Sequence, residues 1–124
     1  MSEDAVREFL KEKGCAHNVV ERGLMGLVEA WEKVVQSVDD GYSLSLDDYL
    51  NDLDTRQLLA DSLAVASIAD LQKFEEQVQR ADDQMKSLTT RTSACLWGDE
   101  IAEEEGWNSK KNWWYYARPV DADR

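Results

Sequence analysis

A chain of 124 residues, 43% apolar and 32% charged, has the size and balance of one self-sufficient folded domain, which excludes disorder and two independent cores. Its 26 acids against 14 bases leave a formal charge of −12, which repels phosphate backbones and anionic headgroups and so argues against nucleic-acid and membrane partners. Met1–Leu10 carries three acids and no apolar run, and no stretch approaches the roughly 18 apolar residues of a membrane span. Cys15 and Cys95 are too few for a disulfide framework, so a cytoplasmic protein with free thiols is expected.

Ser2, followed by Glu3 and Asp4, suits the start of a first helix with Val6, Phe9 and Leu10 as its apolar stripe and Gly14 as its end. Asn18 and Glu21 make a capping-box pattern for a second helix, on which Val20, Leu24, Leu27, Val28, Trp31, Val34, Val35 and Val38 recur at helical spacing up to the turn Asp39-Asp40-Gly41. Gly23 and Gly26 inside it each cost about 1 kcal/mol against alanine. The spacing of Gly26 and Ala30 suggests close approach of another helix, and Gly23 a kink.

Ser45 with Asp48 repeats the capping pattern for a short third helix carrying Leu46, Tyr49, Leu50 and Leu53; Asp54 with Gln57 reads as the start of a fourth, with Leu59, Leu63 and Ala66. Ser67 with Asp70 opens another, whose seam Leu71, Phe74, Val78, Ala81, Met85 and Leu88 suits packing along a neighbour. Thr89–Ser93 reads as a linker. Beyond it stand Trp97, Trp107, Trp113 and Trp114, then Tyr115, Tyr116, Arg118 and Pro119. Consecutive aromatics favour strand, pairing 94–97 with 113–117 around an acidic helix 99–105 closed by Gly106. The expected fold is therefore mainly α: a compact bundle of four to five helices in residues 1–88, followed by an aromatic-rich α/β appendage, 94–124, that packs on it.

Chemical motifs are sparse. The six glycines form no phosphate loop, and His17, the single histidine, has no nucleophile in an established motif around it. Cys15, His17 and Cys95 match no common zinc spacing. Glu75-Glu76 with Asp82-Asp83 invites comparison with helical nucleotide pyrophosphohydrolases, but Gln79 stands where a further glutamate is wanted. No catalytic residue, metal or cofactor is assigned. A small helical hydrolase using a carboxylate-bound divalent metal is the alternative to an interaction protein.

Between residues 39 and 54 six acids, Asp39, Asp40, Asp47, Asp48, Asp52 and Asp54, occur with no base. Such a run attracts a cationic surface over about 8–10 Å at physiological ionic strength. Trp113, Trp114, Tyr115, Tyr116 and Arg118 are the residue types most enriched at binding hot spots. In being small, acidic and helical with adjacent tyrosines, Tyr115 and Tyr116, the chain resembles in style some bacterial immunity proteins that block toxic nucleases. The expectation is a non-enzymatic acidic protein that binds a basic protein partner through these residues, as an immunity protein, antitoxin or small regulator does.

Overall fold

A computed structural model describes residues 2–41 and 45–119, and of residues 2–4 and 46 it describes the backbone alone. The expected cap at Ser2, the acids Glu3 and Asp4, the side chain of Leu46 and the tail at 120–124 lie outside the described residues. Helix α1 (Ser2–Glu12) closes through paired bonds from Gly14 N to Lys11 O and from Cys15 N to Leu10 O, a turn that satisfies its last carbonyls. Val6 and Leu10 are fully buried.

Helix α2 (His17–Asp39) follows at once. Its N-cap is Ala16, whose carbonyl takes the amides of Val19 and Val20, so the expected Asn18–Glu21 box is not used. The closing turn of α1 ends at Cys15 and leaves Ala16 already extended in the capping position. The helix breaks at Gly23 (φ 62°, ψ −146°), a conformation that side chains other than glycine's rarely adopt. Gly26 answers to this kink rather than to another helix: a Cβ there would stand 2.6 Å from Arg22 Cβ. Past the kink, Leu24, Leu27, Val28, Trp31, Val34, Val35 and Val38 are all buried, as their period requires.

Helix α3 (Leu46–Val65) is one continuous element where two were expected. Ser45 Oγ accepts the Asp48 amide and donates to its carboxylate, completing the start. Nothing between Leu53 and Arg56 stops the helix, and instead of capping, the side chain of Asp54 bonds to Trp97 and Tyr115 and that of Gln57 to Asp61 one turn on and to Asn112. Helix α4 (Ile68–Leu88) starts at Ser67, which caps the Asp70 amide, and buries Phe74, Val78, Ala81 and Met85. Helices α1, α3 and α4 all pack on α2, which is the centre of the assembly.

The segment expected as a linker is a strand. β1 (Thr89–Arg91) pairs antiparallel with β2 (Ala117–Pro119), Thr90 opposite Arg118, so the strands expected at 94–97 and 113–117 are displaced by several residues. Helix α5 (Asp99–Glu105) and its Gly106 cap stand where expected. Trp113–Tyr116 form a 3₁₀ turn rather than a strand. The physical reason is burial: a strand sends alternate side chains to opposite faces, whereas the tight turn lets all four successive rings be covered. All four are buried. The result is a compact, mainly α fold with a short two-stranded sheet, and its buried side chains form one cluster.

That cluster is closed by the tail. Trp113 meets Trp31 of α2 edge to face at 6.4 Å and Trp114 at 5.8 Å, while Lys86 Nζ lies over the Trp113 ring. Tyr49 of α3 donates its hydroxyl to the Ala117 carbonyl. Beneath this layer Asp82 of α4 accepts from Trp31 Nε1 at 2.9 Å and takes a two-pronged contact from Arg56 of α3, Nε at 3.0 Å and Nη2 at 2.9 Å. The two charged side chains are only 9% and 10% exposed, and the Arg56 guanidinium carbon lies 4.4 Å from the centre of the Trp114 ring.

Candidate interaction cleft

Because α3 runs unbroken, Asp54, Gln57, Leu58 and Asp61 fall on one face at helical spacing. They form one wall of a cleft of about 600 Å³. The α1–α2 turn contributes Lys13 and the half-buried Cys15; Glu105, Trp107 and Tyr115 close the other side. Trp107 stacks on Tyr115 with ring centres 4.1 Å apart and planes inclined by 20°.

The polar groups are held from behind. Tyr115 donates its hydroxyl to Asp54 Oδ1 at 2.6 Å, and Trp97 Nε1 donates to the same oxygen at 3.3 Å. Burial, and then the bond to the Asp54 carboxylate, push the Tyr115 phenol far above its ordinary range, so it stays a donor. Gln57 donates to Asp61 at 3.0 Å and accepts from Asn112 at 2.9 Å. Three carboxylates, Asp54, Asp61 and Glu105, thus face one lysine across a cleft with an indole in its wall. The chemistry suits an ammonium or guanidinium group, which gains from both the charges and the ring.

Of the residues expected to bind a partner, the cleft brings together Asp54 and Tyr115 and none of the others. Asp39 and Asp40 are exposed at the end of α2, with Asp40 accepting from Gln36. Asp47 and Asp48 are exposed in the first turn of α3, where they complement the positive end of the helix dipole and Asp48 completes the cap; Asp52 is half-buried. Trp113, Trp114, Tyr115 and Tyr116, named both as candidate partner contacts and as part of an appendage that packs on the bundle, are 0–8% exposed and lie in the core. Arg118 is half-buried in β2. Asp61, Cys15 and Trp107 are not among the residues the sequence assigns to partner binding, although the step from Asp54 to Asp61 becomes legible once α3 is taken as one helix.

Among the described residues, no group of three or more His, Cys, Asp or Glu side chains stands close enough to hold a metal ion. Asp82, half of one acidic pair that suggested a hydrolase, is turned inward onto Arg56 and Trp31. His17 is exposed, 3.5 Å from Glu21. Compared with known proteins, the chain matches no family model, and no curated protein or solved structure is significantly similar to it. Among the described residues no helix is long and apolar enough to cross a membrane.

Proposed function

We propose that this chain is a non-enzymatic interaction protein of the cytoplasm that binds a basic protein partner, in the manner of an immunity protein, antitoxin or small regulator. The observation that carries the reading is the cleft in which Asp54, Asp61 and Glu105 face a single Lys13 beside the Trp107 ring. A lysine or arginine of the partner seated there gains roughly 1–4 kcal/mol per close carboxylate, depending on how far water is excluded. The exposed Asp39, Asp40, Asp47 and Asp48 add a long-range field that speeds encounter. The same charge, −12 over the chain, disfavours nucleic acid.

The test is affinity capture from the source cells, identification of the retained protein by mass spectrometry, and binding kinetics with the purified pair. Asp61→Asn with Glu105→Gln, which leaves the Tyr115–Asp54 bond intact, is expected to weaken binding about tenfold or more, chiefly through faster dissociation. Raising salt should slow association. A partner with an acidic surface, or a basic one indifferent to the double variant, refutes the assignment of the cleft.

A further inference from the structure

The cleft walled by α3, the α1–α2 turn and the aromatic tail holds three carboxylates and one cation, and among the described residues those carboxylates form no ion pair. Lys13 does not neutralise them, because its Nζ lies over the Phe9 ring, 5.5 Å from the centre. The donors behind Asp54 and Asp61, which are Tyr115, Trp97 and Gln57, all end on Oδ1. Each carboxylate is thus fixed from one side and keeps Oδ2 for a ligand. Groups ordered in advance cost a ligand less to engage.

Spacing selects the ligand. Asp54 and Asp61 stand two turns apart on one face of α3, about 10 Å along the axis, so one ammonium group cannot serve both. Leu58 lies on the same face between them, and with Trp107, also half-buried, it gives the cleft an apolar wall. The volume, about 600 Å³, is that of a small-molecule site and exceeds what the tip of one side chain fills. We propose that the cleft binds a linear aliphatic polyamine, extended along α3 with one ammonium group at Asp54, another at Asp61 and the methylenes against Leu58 and Trp107. A chain of about six to eight carbons between the nitrogens spans the gap. The proposal rests on the reading of the cleft as a seat for cations and adds its small-molecule ligand; a polyamine bound there excludes a partner's basic side chain.

The experiment is a calorimetric titration of the full chain at constant ionic strength, with the Leu58 methyl and Trp107 indole resonances as local reporters. The probes are hexylammonium, diaminobutane, diaminohexane and diaminooctane, which differ in charge or in the spacing of two charges. The two longer diamines are expected to bind with a Kd of about 1 mM or below, at least about tenfold tighter than hexylammonium or diaminobutane. Asp61→Asn, which keeps an acceptor for Gln57, should reduce the affinity for the longer diamines to that for hexylammonium. Asp47→Asn removes the same charge outside the cleft and should leave that affinity unchanged. Affinity that ignores the spacing of the charges, longer diamines that fail to saturate by about 10 mM, or equal losses in the two variants would overturn the proposal. Equal binding of hexylammonium and the diamines would overturn it and leave the single-cation reading standing. That reading fails separately, if Asp61→Asn with Glu105→Gln leaves partner binding intact.

Discussion

Replacing Asp82 with alanine removes the one acceptor shared by the Arg56 guanidinium and the Trp31 indole, 26 and 51 residues away along the chain. Both partners stay where packing holds them. Breaking one side of a buried ion pair costs about 3–5 kcal/mol, because the remaining charge is stranded away from water. The orphaned indole N–H adds about 1 kcal/mol. Against a total stability of about 5–15 kcal/mol for a domain of this size, a loss of about 4–6 kcal/mol leaves the variant marginal at room temperature. Asp82→Asn keeps an acceptor for Trp31 and one bond to Arg56, so it should fall between. Arg56→Met combined with Asp82→Leu removes both charges and should cost no more than about 2 kcal/mol, for the lost indole bond and the contact with Trp114. Urea denaturation followed by far-ultraviolet circular dichroism measures each value, the slope with denaturant serving as the check on two-state behaviour. If Asp82→Ala costs under about 1 kcal/mol, or the double variant is no more stable than Asp82→Ala alone, the pair is not the buried, mutually dependent unit the geometry implies.

Trp31→Ala is expected to cost about 3–5 kcal/mol and Leu27→Ala about 2–5 kcal/mol, since both side chains are buried on the α2 face; denaturant midpoints check this. Gly23→Ala should cost about 1–3 kcal/mol, because φ of 62° with ψ of −146° is strained for any side chain, and a neutral result in the same assay would show that the kink relaxes. For Tyr115 the pH dependence has a definite sign: the folded phenol is raised, so its stabilisation is complete below about pH 10 and is lost above it, as the tyrosine of the unfolded chain ionises first. Stability measured between about pH 9 and 11 should therefore fall more steeply for the wild type than for Tyr115→Phe, by up to about 1.4 kcal/mol per pH unit; parallel curves would mean that the hydroxyl ionises freely.

Much of the helical framework is legible in the sequence. The seven positions from Leu24 to Val38 that recur at helical spacing are the seven that are buried, and Ser45 and Ser67 cap the helices their patterns announce. These signals are local: a period records which face is desolvated, and a cap is settled within three residues. The same local rules mislead at Asn18 and Asp54. Each has the right chemistry for a cap, but at residue 18 the preceding turn has already placed Ala16 there, and Asp54 is drawn into bonds with Trp97 and Tyr115, 43 and 61 residues away. The aromatic tail shows the limit most clearly. Residue type says that Trp113–Tyr116 seek either a core or a partner, and only the packing of α2, α3 and α4 leaves the gaps that four consecutive rings fill. The cleft, with one wall from α3 and another from Trp107 and Tyr115, exists because those rings are drawn inward, and the pairing of β1 with β2 follows because burying them brings Ala117–Pro119 alongside Thr89–Arg91. Long-range pairings of this kind depend on which surfaces stay uncovered after the helices have packed, a quantity that no window of neighbouring residues contains.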